Sequence, residues 1–178
     1  AAMYLYGRGH QRLAYLNLDR AHWPFRVTGH AMMSAAHELG AQAHVVDQAR
    51  EDLEGSYWPV HRPQAADHLV DQLLALNPAP TGLFVADDMQ TALIQPALQR
   101  RGVSIGPGQV EIISCNNETP YLVGLSPRPA EIDIRVETIG RHAVQQLAWR
   151  IEHRNVPERI ITAIETRVIP HEVTSGPR

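Results

Sequence analysis

Residues 81–86 have the sequence TGLFVA and are followed by two aspartates, Asp87 and Asp88. A short, continuous apolar run of this kind is typical of a β-strand that is buried on both faces, as in a parallel sheet. An aspartate directly after such a strand can accept a hydrogen bond from a free N–H group of the following helix. The segment therefore predicts a buried strand, Asp88 as N-cap, and a helix over residues 89–101.

The same alternation of apolar runs and helical patterns extends in both directions from this segment. Further strands are predicted at residues 13–18, 43–46, 110–115, 131–134 and 159–173, and further helices at 26–39, 65–76 and 136–154. The polar stretch 47–63 predicts a long loop. Strands that alternate with helices indicate an α/β fold with a parallel sheet and right-handed crossovers.

Two residues modify the predicted helices. Gly40 follows the first of them at the position where a left-handed C-cap residue is expected. Pro96 lies inside the helix over 89–101, and a proline there removes a hydrogen bond and clashes with the preceding turn. We therefore expect a kink or a break at Pro96.

The composition excludes several classes of protein. The chain has 178 residues, 44% hydrophobic residues and a net charge of −3, which suits one globular domain or two small lobes and makes it a poor binder of polyanions. All 16 basic residues are arginine, so a Walker-A lysine and Schiff-base catalysis are excluded. Cys115 is the only cysteine, so internal disulfides are excluded and a cytoplasmic protein is expected. Neither a membrane helix nor a signal peptide is predicted.

Catalytic and metal-binding motifs are also missing from the sequence. It contains no G-x-S-x-G, H-E-x-x-H or G-x-G-x-x-G motif. The ten histidines include pairs that are seven residues apart, His30 with His37 and His61 with His68, rather than the close helical pairs of zinc sites. We therefore predict no enzyme activity, no metal and no cofactor.

Polar residues follow three of the predicted strands. They are Asn17 and Asp19, then Asp87 and Asp88, then the pair at 116–117. A single aspartate at such a junction is more often a helix cap. Together they predict a binding cleft, because ligands of open parallel sheets bind at the carboxyl ends of the strands.

The order of these segments resembles the effector-binding core of the lactose-repressor (LacI/GalR) family of bacterial transcription regulators. Five pieces carry the resemblance in order between residues 9 and 173, none of them specific alone. They are GHQRLA at 9–14, RVTG at 26–29, PTGLFVADD at 80–88, RGV with VEII at 101–113, and LSP through IG at 125–140.

This resemblance implies a periplasmic-binding-protein-like (type I) fold, in which parallel sheets flanked by helices form two lobes around a small-molecule effector. It assigns residues 1–20 and 134–155 to a partial N-terminal lobe, and 21–133 and 156–178 to the C-terminal lobe. It also implies a cytoplasmic homodimer, paired through C-lobe helices such as 89–101. Operator DNA would be bound only through an N-terminal helix-turn-helix that this chain lacks.

The resemblance also implies the residues that bind the effector. Arg26 matches the family arginine that donates to ligand hydroxyls, and Asp87, Asn116 and Asn117 match positions that commonly face the ligand. The aromatic surface beneath the ligand is expected from one of four side chains: Trp23, Tyr57, Trp58 or His61. Paired donors, acceptors and an aromatic face favour a sugar or polyol over a nucleoside. The alternative function is that of a solute-binding protein of a sugar uptake system.

Overall fold

A computed structural model describes residues 1–48 and 63–170 of the chain. In these ranges helices and strands alternate, and two short helices, Ala2–Gly7 and Thr119–Leu122, occur that the sequence analysis did not predict. In chain order the elements are α1 (Ala2–Gly7), β1 (Arg12–Asn17), α2 (Trp23–Glu38), β2 (Gln42–Asp47), α3 (Pro63–Leu74), β3 (Gly82–Val85), α4 (Asp88–Arg100), β4 (Glu111–Asn116), α5 (Thr119–Leu122), β5 (Ala130–Asp133), α6 (Val136–Glu152) and β6 (Arg167–Ile169).

The described strands form one sheet in the order β2-β1-β3-β4-β5-β6. All neighbouring pairs from β2 to β5 are parallel, which confirms the predicted α/β fold, and β6 pairs antiparallel with β5. The predicted strand over 159–173 was too long, since only Arg167–Ile169 pairs with a neighbour among the described residues. Its β-branched residues favour extended backbone, but a strand also needs a partner.

Apolar side chains cover both faces of the sheet. Successive side chains of β1 point to opposite faces, so the strand contributes to both clusters. Leu16 contributes to an apolar cluster with Leu69 of α3 and Leu98 of α4. Tyr15 contributes to a second cluster on the opposite face, with residues of α1 and α2. The helix α2 approaches β1 closely because Gly29 has no Cβ, which would lie only 2.9 Å from the Tyr15 ring.

The structure bears on two predictions about α4. The helix is continuous over Asp88–Arg100, so of the kink or break expected at Pro96 the break does not occur. It also begins one residue earlier than predicted, so the N-cap is Asp87 rather than Asp88, and the Asp87 carboxylate accepts a hydrogen bond from the Gln90 N–H at 2.7 Å. The prediction for Gly40 is confirmed by its left-handed φ of 74°.

The first segment assigned to the N-terminal lobe contributes a strand to this sheet. Strand β1, which the sequence analysis assigned to the N-terminal lobe, pairs with β2 on one side and β3 on the other, both from the predicted C-terminal lobe. Helix α6, also assigned to the N-terminal lobe, has no buried residue, and its Val144 and Leu147 are 67% and 62% exposed.

Among the described residues, no helix is long and apolar enough to cross a membrane.

A buried carboxylate joins the amino-terminal end of β4 to α1. Glu111 is only 4% exposed, and it accepts hydrogen bonds from the Arg8 guanidinium and from the Gly108 N–H at 3.3 Å. The ring nitrogen Nε2 of His10 lies 3.6 Å away. Burial alone would raise the pKa of Glu111, but the contacts with Arg8 outweigh it and hold the pKa below its ordinary value.

Replacing this carboxylate tests its contribution to the fold. We expect Glu111→Gln to lower the free energy of unfolding by about 2 kcal/mol, because the charge-assisted hydrogen bonds from Arg8 become neutral ones in a buried site. Urea denaturation at pH 7 measures the change. The exposed Glu38→Gln on α2 is the matched control and should lie within about 0.5 kcal/mol of the original chain. Equal stability of the two variants would contradict the assignment.

Candidate functional site

The carboxyl ends of β4 and β5 open into a pocket of about 720 Å³. Its walls come from the turn 116–118 after β4, from Asp133 at the end of β5, from residues 135–138 at the start of α6, and from Arg167 of β6. Because parallel strands present their carboxyl ends at one edge, the sheet itself assembles these segments. The pocket lies at the edge where the sequence analysis predicts a binding cleft.

The turn after β4 has an unusual backbone. Asn116 and Asn117 both have positive φ angles, 110° and 67°. Asparagine is among the non-glycine residues that tolerate this region best, since its short side chain can bond locally. Asn116 Nδ2 donates to Glu118 Oε2 at 3.4 Å, and the Glu118 N–H donates to Asp88 Oδ2 at 2.5 Å. The turn thus places two amide side chains at the pocket wall.

The wall next to this turn, at the end of β5, carries charged groups of both signs. Asp133 Oδ1 accepts from the backbone N–H of Arg135 at 2.7 Å, and its Oδ2 lies 3.2 Å from Arg167 Nη2. Arg135 has a left-handed φ of 58°, which turns the chain from β5 into α6. Amides, carboxylates and guanidinium groups together can both donate to and accept from a hydroxyl-rich ligand.

The two aspartates after β3 do not line this pocket; their carboxylates accept hydrogen bonds from neighbouring segments of the chain. The Asp87 carboxylate accepts from the Gln90 N–H at 2.7 Å and from Gln90 Nε2 at 3.1 Å. Burial raises the pKa of Asp87 above its ordinary value, although the hydrogen bonds from Gln90 act in the opposite direction. Asp88 accepts from the Ser114 hydroxyl and from the Glu118 N–H, and burial raises its pKa to about 6.

The predicted residues of α2 lie in a different place. Arg26 is exposed, its guanidinium lies 5.8 Å from the ring centroid of Trp23, and Trp23 itself is 67% exposed. Arg26 lines a second pocket of about 250 Å³ between α2 and β2, together with Tyr15 and Asp47. The structure therefore brings Asn116 and Asn117 into one pocket and Arg26 into another. The remaining aromatic candidates lie outside the described residues: Tyr57, Trp58 and His61.

Sequence reasoning predicted only Asn116 and Asn117 among the residues that line the larger pocket, and three of the missed residues are instructive. Asp133 follows the same rule as the predicted clusters, because it ends a parallel strand, so its position could have been found. Arg135 carries no local signal for its left-handed conformation. Arg167 reaches the pocket through the antiparallel pairing of β6 with β5, which the pattern of residues does not specify.

With this geometry in place, comparison with known proteins identifies the class. Residues 2–174 match the profile of the periplasmic binding protein-like domain, and the chain belongs to this family. The resemblance to the effector-binding core of LacI/GalR regulators is confirmed at the level of the fold.

Three of the proteins that this chain is similar to are described as regulators of transcription. The chain is 24% identical over 162 residues to the HTH-type transcriptional repressor PurR of Vibrio atlanticus (strain LGP32), covering 90% of this chain and 45% of the repressor. It is similar to the crystal structure of a LacI family regulator from Bifidobacterium animalis subsp. lactis DSM 10140, with a TM-score of 0.75, 18% identity and coverage of 95% and 57% of the two chains. It is also similar to a LacI family regulator from Arthrobacter sp. FB24 in complex with lactose, with a TM-score of 0.74, 22% identity and coverage of 94% and 58%. The chain thus spans about half the length of the relatives that it matches.

The raised pKa of Asp88 predicts how stability changes with pH. Its ordinary value is 3.8 and its value in the fold is about 6, so folding favours the protonated form. The contribution of Asp88 to stability is complete below about pH 4 and is lost as the pH rises through about 6. Asp88→Asn cannot titrate, so the original chain should lose about 2–3 kcal/mol relative to this variant between pH 4 and pH 7.

Urea denaturation at pH 4, 5.5 and 7 measures this difference. The control is Asp71→Asn on α3, because hydrogen bonding from Arg101 lowers the pKa of the exposed Asp71. The contribution of Asp71 is lost only when the pH falls below its ordinary pKa, so its difference curve should be nearly flat over this range. A flat curve for Asp88→Asn as well would contradict a raised pKa of Asp88 in the fold.

Proposed function

We propose that this chain is the effector-sensing domain of a LacI-type transcriptional regulator, which binds a small molecule and thereby changes the DNA affinity of the longer protein. The observation that carries the proposal is the pocket of about 720 Å³ at the carboxyl edge of the parallel sheet, with polar groups on every wall. The proposal is also supported by similar proteins that are described as regulators of transcription. In this proposal the domain acts in the cytoplasm without catalysis, and operator DNA is bound by a separate N-terminal region.

The exposed face of α6 supports the assignment of residues 134–155 to an N-terminal lobe. Val144, Leu147 and Ile151 are each more than half exposed, although an amphipathic helix normally buries such residues. We propose that this helix belongs to a second lobe and that the effector lies between the lobes. The pairing of β1 inside the sheet supports placing residues 12–17 with the C-terminal lobe instead.

The chemistry of the pocket supports a sugar or polyol as the effector. A sugar hydroxyl both donates and accepts, and Asn116, Asn117 and the Asp133–Arg167 pair offer both kinds of partner. Both charge signs are present, which disfavours a multiply charged phosphate. The related Arthrobacter regulator was crystallised with lactose, which supports the same class of ligand. A nucleoside is the second candidate, since it carries similar hydroxyls.

The proposed alternative is a solute-binding protein of a sugar uptake system, which shares the fold. The coding sequence upstream of Ala1 separates the two functions. A helix-turn-helix encoded there supports the regulator, and a signal peptide supports the transport protein.

A thermal-shift measurement on this chain tests ligand binding, with lactose, galactose, ribose, xylitol and adenosine as probes. A ligand that binds only the folded state stabilises it by about 2.7 kcal/mol at a hundredfold excess over Kd. We expect the sugars or the polyol to raise the melting temperature and adenosine to have little effect. A shift with adenosine alone would replace the sugar by a nucleoside, and no shift with any probe would contradict binding of these classes by this chain.

Two variants then locate the site by calorimetry with the best probe. Asn116→Asp keeps the size, the acceptor and the tolerance of positive φ but loses the amide donor, so it should weaken binding by about 1–2 kcal/mol. Arg26→Ala should cost about 2–4 kcal/mol if Arg26 donates paired hydrogen bonds to the same ligand, as the family resemblance implies. If both variants bind the probe more weakly, the two residues lie around one ligand. If only Asn116→Asp binds more weakly, the site is restricted to the larger pocket. If neither variant loses affinity, neither residue belongs to the site.

We also propose a homodimer that forms through α4 and its neighbour α5. Seven residues of α4 are buried within the chain, whereas Gln99 and Arg100 remain exposed. Helix α5 contacts α4, and its Tyr121 is 43% exposed, while Val123, which directly follows α5, is 75% exposed. Sedimentation velocity at micromolar concentration should show a species of twice 19.8 kDa. The variant Val123→Asp should shift it toward the monomer, while Val144→Asp on α6 should not. A chain that sediments only as a 19.8 kDa monomer contradicts this interface.

A further inference from the structure

Asp88 is the first residue of α4, yet its carboxylate bonds entirely outside that helix. The residue has no exposed surface. One oxygen accepts from the Ser114 hydroxyl of β4, and the other accepts from the backbone N–H of Glu118 at 2.5 Å. The cap of α4 is supplied by Asp87 instead. Asp88 is therefore a direct link between α4, β4 and the turn that follows β4.

That turn needs an external acceptor to hold its shape. Asn116 and Asn117 are consecutive left-handed residues, and each such residue costs free energy unless its surroundings enforce it. The bond from Asn116 Nδ2 to Glu118 Oε2 is exposed and long, at 3.4 Å. The short bond from the Glu118 N–H to Asp88 is shielded and charge-assisted, so it is the stronger constraint.

We propose that Asp88 is a positioning residue for the effector site, whose carboxylate holds the turn 116–118 so that the Asn116 and Asn117 amides line the larger pocket. The inference rests on the proposed function, because it treats that pocket as the effector site. Asp88 does not line the pocket and acts only through the turn. Its ionisation therefore controls how firmly the two amides are placed.

The charged groups around Asp88 make its hydrogen bond with the Glu118 N–H sensitive to pH. From β5, Glu131 lies in register with Ser114, and its charge disfavours an ionised Asp88, as does the charge of Glu118 in the turn. Arg128 is paired with Glu131 at 2.6 Å, and the preceding carboxylate, Asp87, is bonded to Gln90. The Cys115 thiol of β4 stays neutral, because burial raises its pKa to about 11. Protonation of Asp88 should weaken its bond from the Glu118 N–H, since a neutral carboxyl accepts less strongly.

Amide nuclear magnetic resonance on the whole chain tests the inference without any ligand. In the original chain the Glu118 amide should resonate downfield at pH 7.5 and move upfield on acidification, with a midpoint near pH 6. The amides of Asn116 and Asn117 should follow the same midpoint. In Asp88→Asn this titration should disappear, and hydrogen exchange at Glu118 should become at least about tenfold faster, because the charge-assisted bond is lost.

A second variant keeps the test decisive if Asp88→Asn does not fold. Ser114→Ala removes the other donor to Asp88 and leaves its contact with Glu118 intact, so the turn amides should still titrate together, at a higher midpoint. Asp71→Asn is the remote control and should leave the titration of the turn unchanged. A purely structural role for Asp88 would disturb amides along α4 and β3 without this shared midpoint.

The inference is overturned if the turn amides of Asp88→Asn titrate as in the original chain, or if Ser114→Ala leaves their midpoint unmoved. Because no effector is present, a chain that binds none of the sugar or nucleoside probes defeats the proposed function without changing this result. Conversely, if the chain binds lactose tightly but the turn amides do not respond to Asp88, only the inference about positioning is overturned.

Discussion

Two neighbouring carboxylates at the end of β3 hold together the edge of the sheet on which the pocket depends. Asp87 bonds to Gln90, and the side-chain oxygen of Gln90 accepts from the Leu18 N–H at 2.7 Å, which joins α4 to the chain leaving β1. Asp88 bonds in the other direction, to the turn after β4 through the Glu118 N–H. The carboxyl ends of three strands, β1, β3 and β4, are thus connected through one dipeptide.

This arrangement has an energetic cost that the rest of the fold must offset. Burial raises the pKa of both aspartates, which means that the folded chain disfavours their charged forms. The donors that face them recover part of this cost, and the two apolar clusters on either face of the sheet provide the remaining stability. Buried acids at the end of a strand, beside a pocket, are a local conflict of the kind that functional sites retain.

The helices illustrate how far packing can be inferred from periodicity. Helices α3 and α6 both carry apolar residues at helical spacing. Five residues of α3 are buried against β-strands and α4, whereas α6 has none buried among the described residues. The spacing predicts that each helix has an apolar face, but it contains no information about which surface that face meets. The position of α6, beyond β5 and at the pocket wall, is a property of the assembled chain.

The sequence by itself determined the elements whose signals are local. The apolar run at 82–85, the helical spacing of α3 and the left-handed Gly40 each depend on residues within a few positions, so they could be predicted. The parallel sheet followed from the alternation of strands and helices, as did the prediction that a ligand binds at the carboxyl edge. Only the tertiary structure decided that Asp87 rather than Asp88 caps α4, because that choice depends on Ser114, 26 residues away along the chain. It likewise separated Arg26 from the asparagine pair, since pockets form between segments that are distant in sequence and meet only when the core packs.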